Sequence, residues 1–280
     1  MIKTRKGVIV PKSIEGVKHV IAVASGKGGV GKSTTAVNLA VALSVAGHKV
    51  GILDADVYGP SLPRMMGLKD GSASSEDGKT ISPALSHGVK VMSMGFLVEE
   101  DTPMVWRGPM VLSALKQMMF DVKWAPLDVL IIDMPPGTGD TQLSIAQAIG
   151  LSGAVIVSTP QDIALLDARK GLNMFRKVNI PILGMVENMS MFVCPECGHE
   201  AHIFSHGGAE KAANDLDVNF LGAVPLDLTV RQNTDEGKPV VVSAPDSAPA
   251  ETYRNLAKQI WTTLEENAEK AAQPVKIVIE

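Results

Sequence analysis

The chain has 280 residues, 45% of them hydrophobic and 20% charged, an ordinary composition for a globular protein that can bury a large core. It carries 26 Lys and Arg against 30 Asp and Glu, and the net charge of −4 argues against a general binder of nucleic acid or other polyanions. No apolar run reaches the ~18 residues of a membrane-spanning helix, so we expect no stable membrane insertion.

Residues 1–18 contain Lys, Pro and Gly without hydrophobic periodicity, and we expect a flexible lead-in there. The basic N-terminus lacks the apolar core of a signal peptide and the amphipathic length of a transit peptide. The chain has two cysteines, Cys194 and Cys197, which excludes a disulfide framework and indicates a reducing compartment. We therefore expect an intracellular protein or a chain that has already been processed.

The first predicted strand, Val20 to Ala24, runs into a glycine-rich loop with the sequence Gly26-Lys27-Gly28-Gly29-Val30-Gly31-Lys32-Ser33-Thr34. Its spacing matches the P-loop pattern G-x-x-x-x-G-K-[ST]. Glycines let consecutive N–H groups converge on phosphate oxygens, and a helix predicted from about Ser33 through Ala46 directs its positive end at the same anion. A plain glycine-rich turn is the alternative, but the strand before the loop and the helix after it favour nucleotide binding.

Further polar residues complete the predicted nucleotide chemistry. Lys32 is expected to bridge the β- and γ-phosphates, and the Ser33 hydroxyl to ligate Mg²⁺. A second strand, Lys49 to Asp54, is followed by Asp56, which is placed to orient the attacking water or to reach Mg²⁺ through water. The alternative is that these acidic residues belong to a solvated turn.

The next part of the chain contains a predicted insertion, a strand and a helix. Residues 67–88 are rich in Ser, Gly, Asp and Lys, which is typical of a surface insertion or mobile loop. Val89 to Met94 has strand character, and Trp106-Arg107-Gly108-Pro109 introduces a helix over about Met110 to Phe120. We expect the methionines of this helix to pack in the core, namely Met110, Met118 and Met119.

Asp128 to Asp133 is a predicted buried strand that ends in an acid, the pattern of a Walker B strand whose carboxylate holds the metal through water. Asp133 is therefore a predicted magnesium residue, together with Ser33 and Asp56. The strand leads into Met134-Pro135-Pro136-Gly137-Thr138-Gly139-Asp140, a loop that we expect to sense the γ-phosphate and to change conformation.

The C-terminal half continues the alternation of strands and helices. Strands are predicted over Ala154 to Pro160, Ile182 to Asn188 and Phe220 to Leu226, and helices over Asp162 to Lys177 and about Pro249 to Glu266. Asn188 and the turn Pro225-Leu226-Asp227 are placed to contact an adenine base.

The alternation predicts the α/β class, with a doubly wound, mostly parallel sheet flanked by helices in a P-loop NTPase fold. We expect a single ATPase domain over residues 19–266 and a tail over residues 267–280. The sequence shows no internal repeat that would indicate a second domain.

Cys194-Pro195-Glu196-Cys197 places two thiolates at C-x-x-C spacing, which is half of a four-sulfur metal site. A c-type haem site is excluded because Gly198, not His, follows the second cysteine. A thioredoxin-like redox pair normally opens a helix, whereas Gly198 and the preceding Phe192-Val193 favour a ribbon turn. A zinc site within one chain, completed by His202 and His206, is disfavoured because these histidines follow the cysteines much more closely than in a zinc finger.

A fourth possibility is a metal shared between chains. If two chains each contribute a cysteine pair, a symmetric dimer holds one ion or cluster on its twofold axis. Lys27 agrees with such a dimer, because a second lysine in the loop is not needed to cradle phosphates locally. At a twofold interface, Lys27 would stabilise transition-state charge on the partner's nucleotide, as an arginine finger does. From the residues alone, the identity of the metal stays open.

Several segments together resemble the Mrp/ApbC family, iron-sulfur cluster carrier ATPases within the MinD/ParA group of deviant P-loop proteins. These segments are the loop Lys27 to Thr34, the turn Asp54 to Ser61, the segment Asp133 to Asp140, Glu187-Asn188-Met189-Ser190 and the cysteine pair. The resemblance runs from about Ile14 to Leu264, whereas MinD and ParA relatives share the loop but lack the cysteine pair.

The resemblance implies a homodimer that binds a bridging [4Fe-4S] cluster, uses ATP with Mg²⁺, and passes the cluster to apo-proteins. It implies that Lys27 is the signature lysine, that Asp56 positions the attacking water, and that Asn188 lies near adenine with the turn over 225–227. Lys27, Asp56 and Lys32 are thus the expected catalytic residues of an ATP hydrolase that is slow and coupled to cluster binding or transfer.

The short N-terminus resembles the mitochondrial branch of the family, which serves respiratory complex I. The expected location is therefore the mitochondrial matrix for a processed eukaryotic chain and the cytoplasm for a bacterial one. The main alternative function is a MinD/ParA-like positioning ATPase with a structural zinc site. A metabolic kinase-like ATPase is a third possibility, for which the sequence offers no small-molecule pocket motif.

Overall fold

A mostly parallel sheet forms the centre of the chain, and the computed structural model describes residues 11–68, 73–75, 77–96 and 108–272. The strands within these residues are β1 Val17–Ala24, β2 Val50–Asp54, β3 Ala84–Ser86, β4 Val89–Ser93, β5 Leu127–Asp133, β6 Gly153–Ser158, β7 Ile182–Val193, β8 Glu200–Ala201 and β9 Phe220–Leu226. Their order across the sheet is β3-β4-β2-β5-β1-β6-β7-β8, and β9 pairs with β7. The short strands β3 and β8 run antiparallel to their neighbours, and the remaining pairings are parallel.

Helices cover both faces of this sheet, which confirms the predicted doubly wound α/β fold. The helices are α1 Lys32–Val45, α2 Leu62–Met65, α3 Gly108–Phe120, α4 Asp140–Ala148, α5 Asp162–Lys177, α6 Gly208–Asp215, α7 Leu228–Asp235, α8 Val240–Ser243 and α9 Ala248–Ala272, and a short 3-10 turn, Met94–Phe96, follows β4. Helices α1, α2, α7, α8 and α9 pack on one face, and α3, α4, α5 and α6 pack on the other.

The two faces explain why the inner strands are continuous apolar runs. In β1, Ile21 and Val23 contribute to the core under α1 and α9, whereas Val20 and Ala22 contribute to the core on the opposite face. Successive side chains of a strand point to opposite faces, so a strand covered on both faces needs an apolar residue at every position.

The carboxyl ends of the inner strands meet at one edge of the sheet. The register pairs Asp133, the last residue of β5, with Asp54 at the end of β2 and with Val23 near the end of β1. The loop after β1 therefore lies beside two acidic strand ends. In open α/β sheets this edge is where ligands bind.

The N-terminal boundary differs from the prediction. Ile14 is buried, Lys12 forms a β-bridge with Ile149, and β1 already begins at Val17. Residues 11–18, predicted as part of a flexible lead-in, are thus attached to the domain. Ile14 is apolar and buried, and the backbone of Lys12 pairs with that of Ile149. Residues 1–10 of the same prediction lie outside the described residues.

Two other predictions need correction. The predicted surface insertion over 67–88 is partly paired, since it contains β3 and its Ile81 bridges to Val122. In α3, Met118 and Met119 are buried as expected, but Met110 is exposed because it lies on the solvent side of the first turn. The residues predicted to introduce this helix, at 106 and 107, lie outside the described part of the chain.

The closing helix is longer than predicted, because α9 runs from Ala248 through Ala272 and not to about Glu266. The start of the predicted tail over 267–280 is therefore helical, and residues 273–280 are not described. Within the residues that the structure describes, no helix combines the length and the apolarity needed to cross a membrane.

Candidate functional site

The glycine-rich loop between β1 and α1 is shaped by close contacts with two other segments. Gly26 lies against the backbone of α5, where an added Cβ atom would overlap the carbonyl group of Asp167. Gly31 has a φ of 79°, and a Cβ atom there would overlap the side-chain amide nitrogen of Asn188. Helix α1 begins at Lys32, directly after Gly31. The glycine-rich loop therefore ends at the N-terminus of a helix, a position that favours anions, and phosphate binding there stays a prediction.

Lys32 is engaged with the Walker B acid. Its ammonium donates to Oδ1 of Asp133 at 2.5 Å and to the Ser33 hydroxyl at 3.3 Å. The side chains of Lys32 and Asp133 are 7% and 0% exposed. The ammonium of Lys32 has three N–H donors, and these two partners, Asp133 and Ser33, occupy two of them in this structure.

The second carboxylate oxygen of Asp133, Oδ2, is buried without a hydrogen-bond partner among the described residues. A buried acceptor of this kind is costly unless a further group satisfies it. The predicted magnesium residues supply the oxygen donors that Mg²⁺ prefers, a hydroxyl from Ser33 in the first turn of α1 and carboxylates from Asp133 and Asp56. The donor set therefore fits the predicted ion.

Two further carboxyl groups near Asp133 have pKa values that are raised above the ordinary carboxyl value. Burial, followed by the charge of Asp133, raises the pKa of Asp54 to about 7. Burial also raises the pKa of Asp56, and Asp133 adds to that shift while the positive charge of Lys32 opposes it. Perturbed carboxyl groups in a crevice beside a phosphate-binding loop are typical of an active site.

The loop over 134–140 is tied to the glycine-rich loop. The Gly137 N–H donates to the carbonyl oxygen of Ser25 at 3.2 Å. The Gln142 side-chain amide, in the first turn of α4, donates to the carbonyl oxygen of Pro135, and its own Oε1 is buried without a partner among the described residues. These contacts join the 134–140 loop to the glycine-rich loop, and the predicted sensing of the γ-phosphate stays a prediction.

Two of the predicted adenine residues have other partners in the structure. The Asn188 amide donates to the carbonyl oxygen of Val30 at 2.9 Å, so Asn188 supports the glycine-rich loop. The Asp227 carboxylate accepts from the backbone N–H of Thr229 at 2.7 Å and caps α7. An adenine contact by these residues, or by Pro225 and Leu226, remains a prediction.

The cysteine pair lies at the tip of a hairpin. Strand β7 continues beyond Asn188 to Val193, and β8 returns antiparallel to it. The turn is closed by hydrogen bonds from the Cys194 N–H to the His199 carbonyl and from the Gly198 N–H to the Cys194 carbonyl, both 2.9 Å. This geometry confirms the predicted ribbon turn and excludes the helix that a thioredoxin-like pair normally opens.

The hairpin turn favours the thiolate form of Cys194. Backbone N–H groups of Cys197 and Glu196 directed at its sulfur lower the pKa of the Cys194 thiol, with a further contribution from the Cys197 thiol. The thiolate is the form that binds metal. Cys197 is exposed, and both cysteines are free in the structure.

The described part of the chain contains no cluster of three or more His, Cys, Asp and Glu side chains arranged for a metal ion. The His202 and His206 rings contact each other, with centroids 4.4 Å apart, but they do not complete a site with the thiols. Among these residues, the structure therefore gives no support to a zinc site built within one chain.

Lys27 is exposed, unlike the buried Lys32 of the same loop. Its ammonium forms no ion pair within the portion of the chain that the structure describes. Such a side chain is available to a second molecule, but its action in trans remains a prediction.

Sequence reasoning missed two residues of this site. The sequence places Asp54 at the carboxyl end of the second strand, but it assigns a chemical role to Asp56 and none to Asp54. Gln142 gave no signal, because its role depends on where the 134–140 loop folds back.

Comparisons with known proteins identify the family of this chain. The family model of the ParA group described as NUBPL iron-transfer P-loop NTPase matches residues 16–261. The chain is 55% identical over 266 residues to the iron-sulfur cluster transfer protein NUBPL of Mus musculus, covering 94% of this chain and 83% of that protein. It is 54% identical over 263 residues to the iron-sulfur cluster carrier protein of Salmonella typhimurium, covering 94% and 71%.

A plant relative and a solved structure extend this result. The Arabidopsis thaliana iron-sulfur protein required for NADH dehydrogenase, mitochondrial, is 54% identical over 265 residues, covering 94% of this chain and 84% of that protein. A nucleotide-binding protein of Archaeoglobus fulgidus in complex with ADP matches with a TM-score of 0.74 at 37% identity, covering 85% of this chain and 93% of that chain.

Proposed function

The chain belongs to the NUBPL iron-transfer family of P-loop NTPases, and from this premise we propose that it is an ATP-dependent carrier that binds a [4Fe-4S] cluster and delivers it to apo-proteins. The relatives named above are iron-sulfur cluster carrier and transfer proteins. P-loop NTPases hydrolyse nucleotides in general, and we propose that hydrolysis here is slow and coupled to the cluster.

The single observation that carries this proposal is the hairpin that presents two cysteines beyond the end of β7. The thiols are free, and the pKa of Cys194 is lowered by the turn backbone. A [4Fe-4S] cluster is normally held by four thiolates, so one chain supplies half of the ligands. Two chains related by a twofold axis supply the whole set.

We propose that ATP binds at the loop over 26–34. Backbone N–H groups and Lys32 would hold the phosphates, Ser33 would ligate Mg²⁺, and Asp133 and Asp56 would contact it through water. Asp56 would orient the attacking water, and Lys27 would act on the partner's nucleotide. Mg²⁺ supplies charge neutralisation of the phosphates when it is bound.

Anaerobic reconstitution with ferrous iron and sulfide tests the proposal. We expect about two iron atoms and two sulfides per chain, together with the mass of a dimer, because one cluster is shared by two chains. Cys194→Ala and Cys197→Ala should each lose the cluster, and His202→Ala, a matched change in the same region, should retain it.

Retention of the cluster by Cys194→Ala would overturn the proposal. About one zinc ion per dimer, with no cluster after reconstitution, would instead favour a MinD/ParA-like positioning ATPase with a structural zinc. Transfer is measured by adding an apo-acceptor that binds a [4Fe-4S] cluster and following the gain of its activity.

Recipients and compartment are part of the same proposal. The plant relative's name concerns NADH dehydrogenase of mitochondria, and on that analogy we propose respiratory complex I as a recipient for a mitochondrial chain. In that case the site of action is the mitochondrial matrix, and for a bacterial chain it is the cytoplasm. The nearly equal identities to animal, plant and bacterial relatives do not separate these branches.

A further inference from the structure

Asp54 is a carboxylate of the candidate site whose hydrogen bonds go neither to the glycine-rich loop nor to Lys32. It is 1% exposed and ends β2. Its Oδ1 accepts from the N–H of Asp56 at 3.1 Å. Its Oδ2 accepts from the N–H groups of Ser61 at 3.0 Å and Leu62 at 3.2 Å and from the Ser93 hydroxyl at 3.1 Å.

These bonds connect both ends of one loop. Residues 55–61 join β2 to α2, and Asp54 holds the first part of this loop through Asp56 and the last part through Ser61 and Leu62. The bond from Ser93 anchors the same carboxylate to the neighbouring strand β4. The backbone position of Asp56 is therefore fixed by a group that is itself buried and held from three directions.

The contacts of Asp54 differ from those of Asp133. Within the described residues, Lys32 forms its ion pair with Asp133, and Asp54 has no salt bridge. The partners of Asp54 are backbone N–H groups and one hydroxyl, which is the pattern of a group that shapes a loop.

We propose that Asp54 is a positioning residue for ATP hydrolysis, which sets the location of Asp56 relative to the attacking water by clamping the 55–61 loop. The inference rests on the proposed function of Asp56. It predicts a loss of the chemical step without a loss of nucleotide binding, because Asp54 touches neither Lys32 nor the glycine-rich loop in the structure.

Asp54→Asn is the informative variant. An asparagine has the same shape but replaces one acceptor oxygen by an NH₂ group. Whichever way the amide is turned, its NH₂ group faces either the Asp56 N–H or the N–H groups of Ser61 and Leu62. One end of the loop is therefore released while the volume of the core is unchanged.

The experiment measures kcat for ATP hydrolysis and the Kd of a non-hydrolysable ATP analogue for the full chain. For Asp54→Asn we expect kcat to fall about 100-fold, since a misplacement of about 1 Å at a reacting group has an effect of this size. The Kd should stay within about twofold, because only the transition-state arrangement is altered. An unchanged kcat, or a parallel loss of kcat and binding, would overturn the inference.

Asp128→Asn is the matched control. Asp128 also accepts from a backbone N–H, that of Lys49 at 2.8 Å, and from the Lys18 ammonium, but it lies at the opposite edge of the sheet. We expect its kcat to equal that of the unmodified chain. A loss of kcat in Asp128→Asn would show that any carboxylate removal disturbs hydrolysis and would overturn the specific role of Asp54.

Asp56→Asn separates this inference from the proposed function. If Asp56→Asn hydrolyses ATP at the normal rate, the proposed role of Asp56 is wrong, and so is the inference that depends on it. If Asp56→Asn is slow but Asp54→Asn hydrolyses ATP at the normal rate, only the inference about Asp54 is wrong.

Should Asp54→Asn not fold, amide hydrogen exchange of the unmodified chain gives a second test. The Ser61 and Leu62 amides should be protected, and exchange at the rate of an open loop would overturn the clamp.

Discussion

The Lys32 ammonium and the Asp133 carboxylate form a buried ion pair at 2.5 Å that joins the glycine-rich loop to the end of β5. The two groups expected to hold phosphate and magnesium thus satisfy each other directly. Nucleotide and Mg²⁺ bound at the predicted positions would contact the two partners of this pair. Removal of either partner leaves a buried charge without its counter-ion, which is strongly unfavourable.

We predict that Lys32→Met lowers the free energy of unfolding by about 3 kcal/mol, because Asp133 is left charged and buried. The double variant Lys32→Met, Asp133→Asn should recover a large part of this loss. Urea unfolding of the single and double variants measures the coupling. As a control, Lys170→Met breaks an exposed pair with Asp167 and should cost less than about 1 kcal/mol. Equal losses for Lys32→Met and Lys170→Met would contradict the prediction.

The glycines of the loop allow a matched comparison. Gly29 and Gly31 have φ values of 80° and 79°, but a Cβ atom meets nothing at Gly29 and overlaps Asn188 at Gly31. Gly29→Ala should cost about 1 kcal/mol for the left-handed backbone alone, and Gly31→Ala clearly more. Adding Asn188→Ala to Gly31→Ala should restore part of the loss. Thermal or urea unfolding without nucleotide measures these losses. Equal losses of unfolding free energy for Gly29→Ala and Gly31→Ala would contradict the prediction.

The two thiols should differ in reactivity. Because the turn backbone lowers the pKa of Cys194, the Cys194 thiol should react with iodoacetamide at lower pH than the Cys197 thiol. Single-cysteine chains, made by Cys197→Ser and Cys194→Ser, give the two pH profiles separately. A lower midpoint for Cys197 would contradict the hydrogen-bond geometry of the hairpin.

Asp54 gives a pH dependence of stability with a defined sign. Its pKa in the folded chain, about 7, lies above the ordinary carboxyl value of 3.8, so the folded state binds this proton more tightly than the unfolded state. The stabilising contribution is full below the ordinary value and is lost as the pH rises through about 7. We expect the unfolding free energy of the unmodified chain, relative to Asp54→Ala, to fall between pH 5 and pH 8 by an amount on the order of 1 kcal/mol or more. A rise over this range would contradict the shift.

Action of Lys27 in trans predicts complementation between two inactive chains. Lys27→Ala and Asp56→Asn homodimers should each hydrolyse ATP slowly. In a mixed dimer, the Lys27→Ala chain retains Asp56 and receives Lys27 from its partner, so activity should return when the two chains are mixed. Steady-state hydrolysis after mixing is the measurement. If the activity after mixing is no higher than the average of the two homodimers, Lys27 acts on the nucleotide of its own chain and the prediction is wrong.

The local features of this site could be predicted from the sequence, because each depends on adjacent residues. The spacing of Gly26, Gly31 and Lys32, the strand that ends in Asp133 and the turn over 194–198 are of this kind. Helix α5 was predicted at its observed bounds, since its apolar period is long and regular. Short helices such as α6, α7 and α8 were missed because fewer than three turns carry too little periodicity.

The contacts within the site could not be predicted, because they depend on register. Lys32 and Asp133 are 101 positions apart, and Asn188 lies 158 positions from Val30. Only the pairing of β5 and β6 with β1, and of β7 with β6, brings these side chains together. The sequence indicates that Asn188 ends a strand but not that its side chain points at the glycine-rich loop.

Strand β7 connects the glycine-rich loop with the turn that carries the cysteines. It carries Asn188, which contacts the glycine-rich loop, and it continues without interruption of the chain to Cys194. The strand is irregular between the two sites, because Met189 has a φ of 58° and the pairing with β9 shifts between Asn188 and Phe192. The glycine-rich loop and the cysteine turn are therefore joined by a bent piece of the sheet and not by a straight one. A deletion or insertion of one residue at this bend would shift the pairing of Phe192 and Val193 with β8, and two chains that paired through their nucleotide sites would then present their thiols in a changed direction.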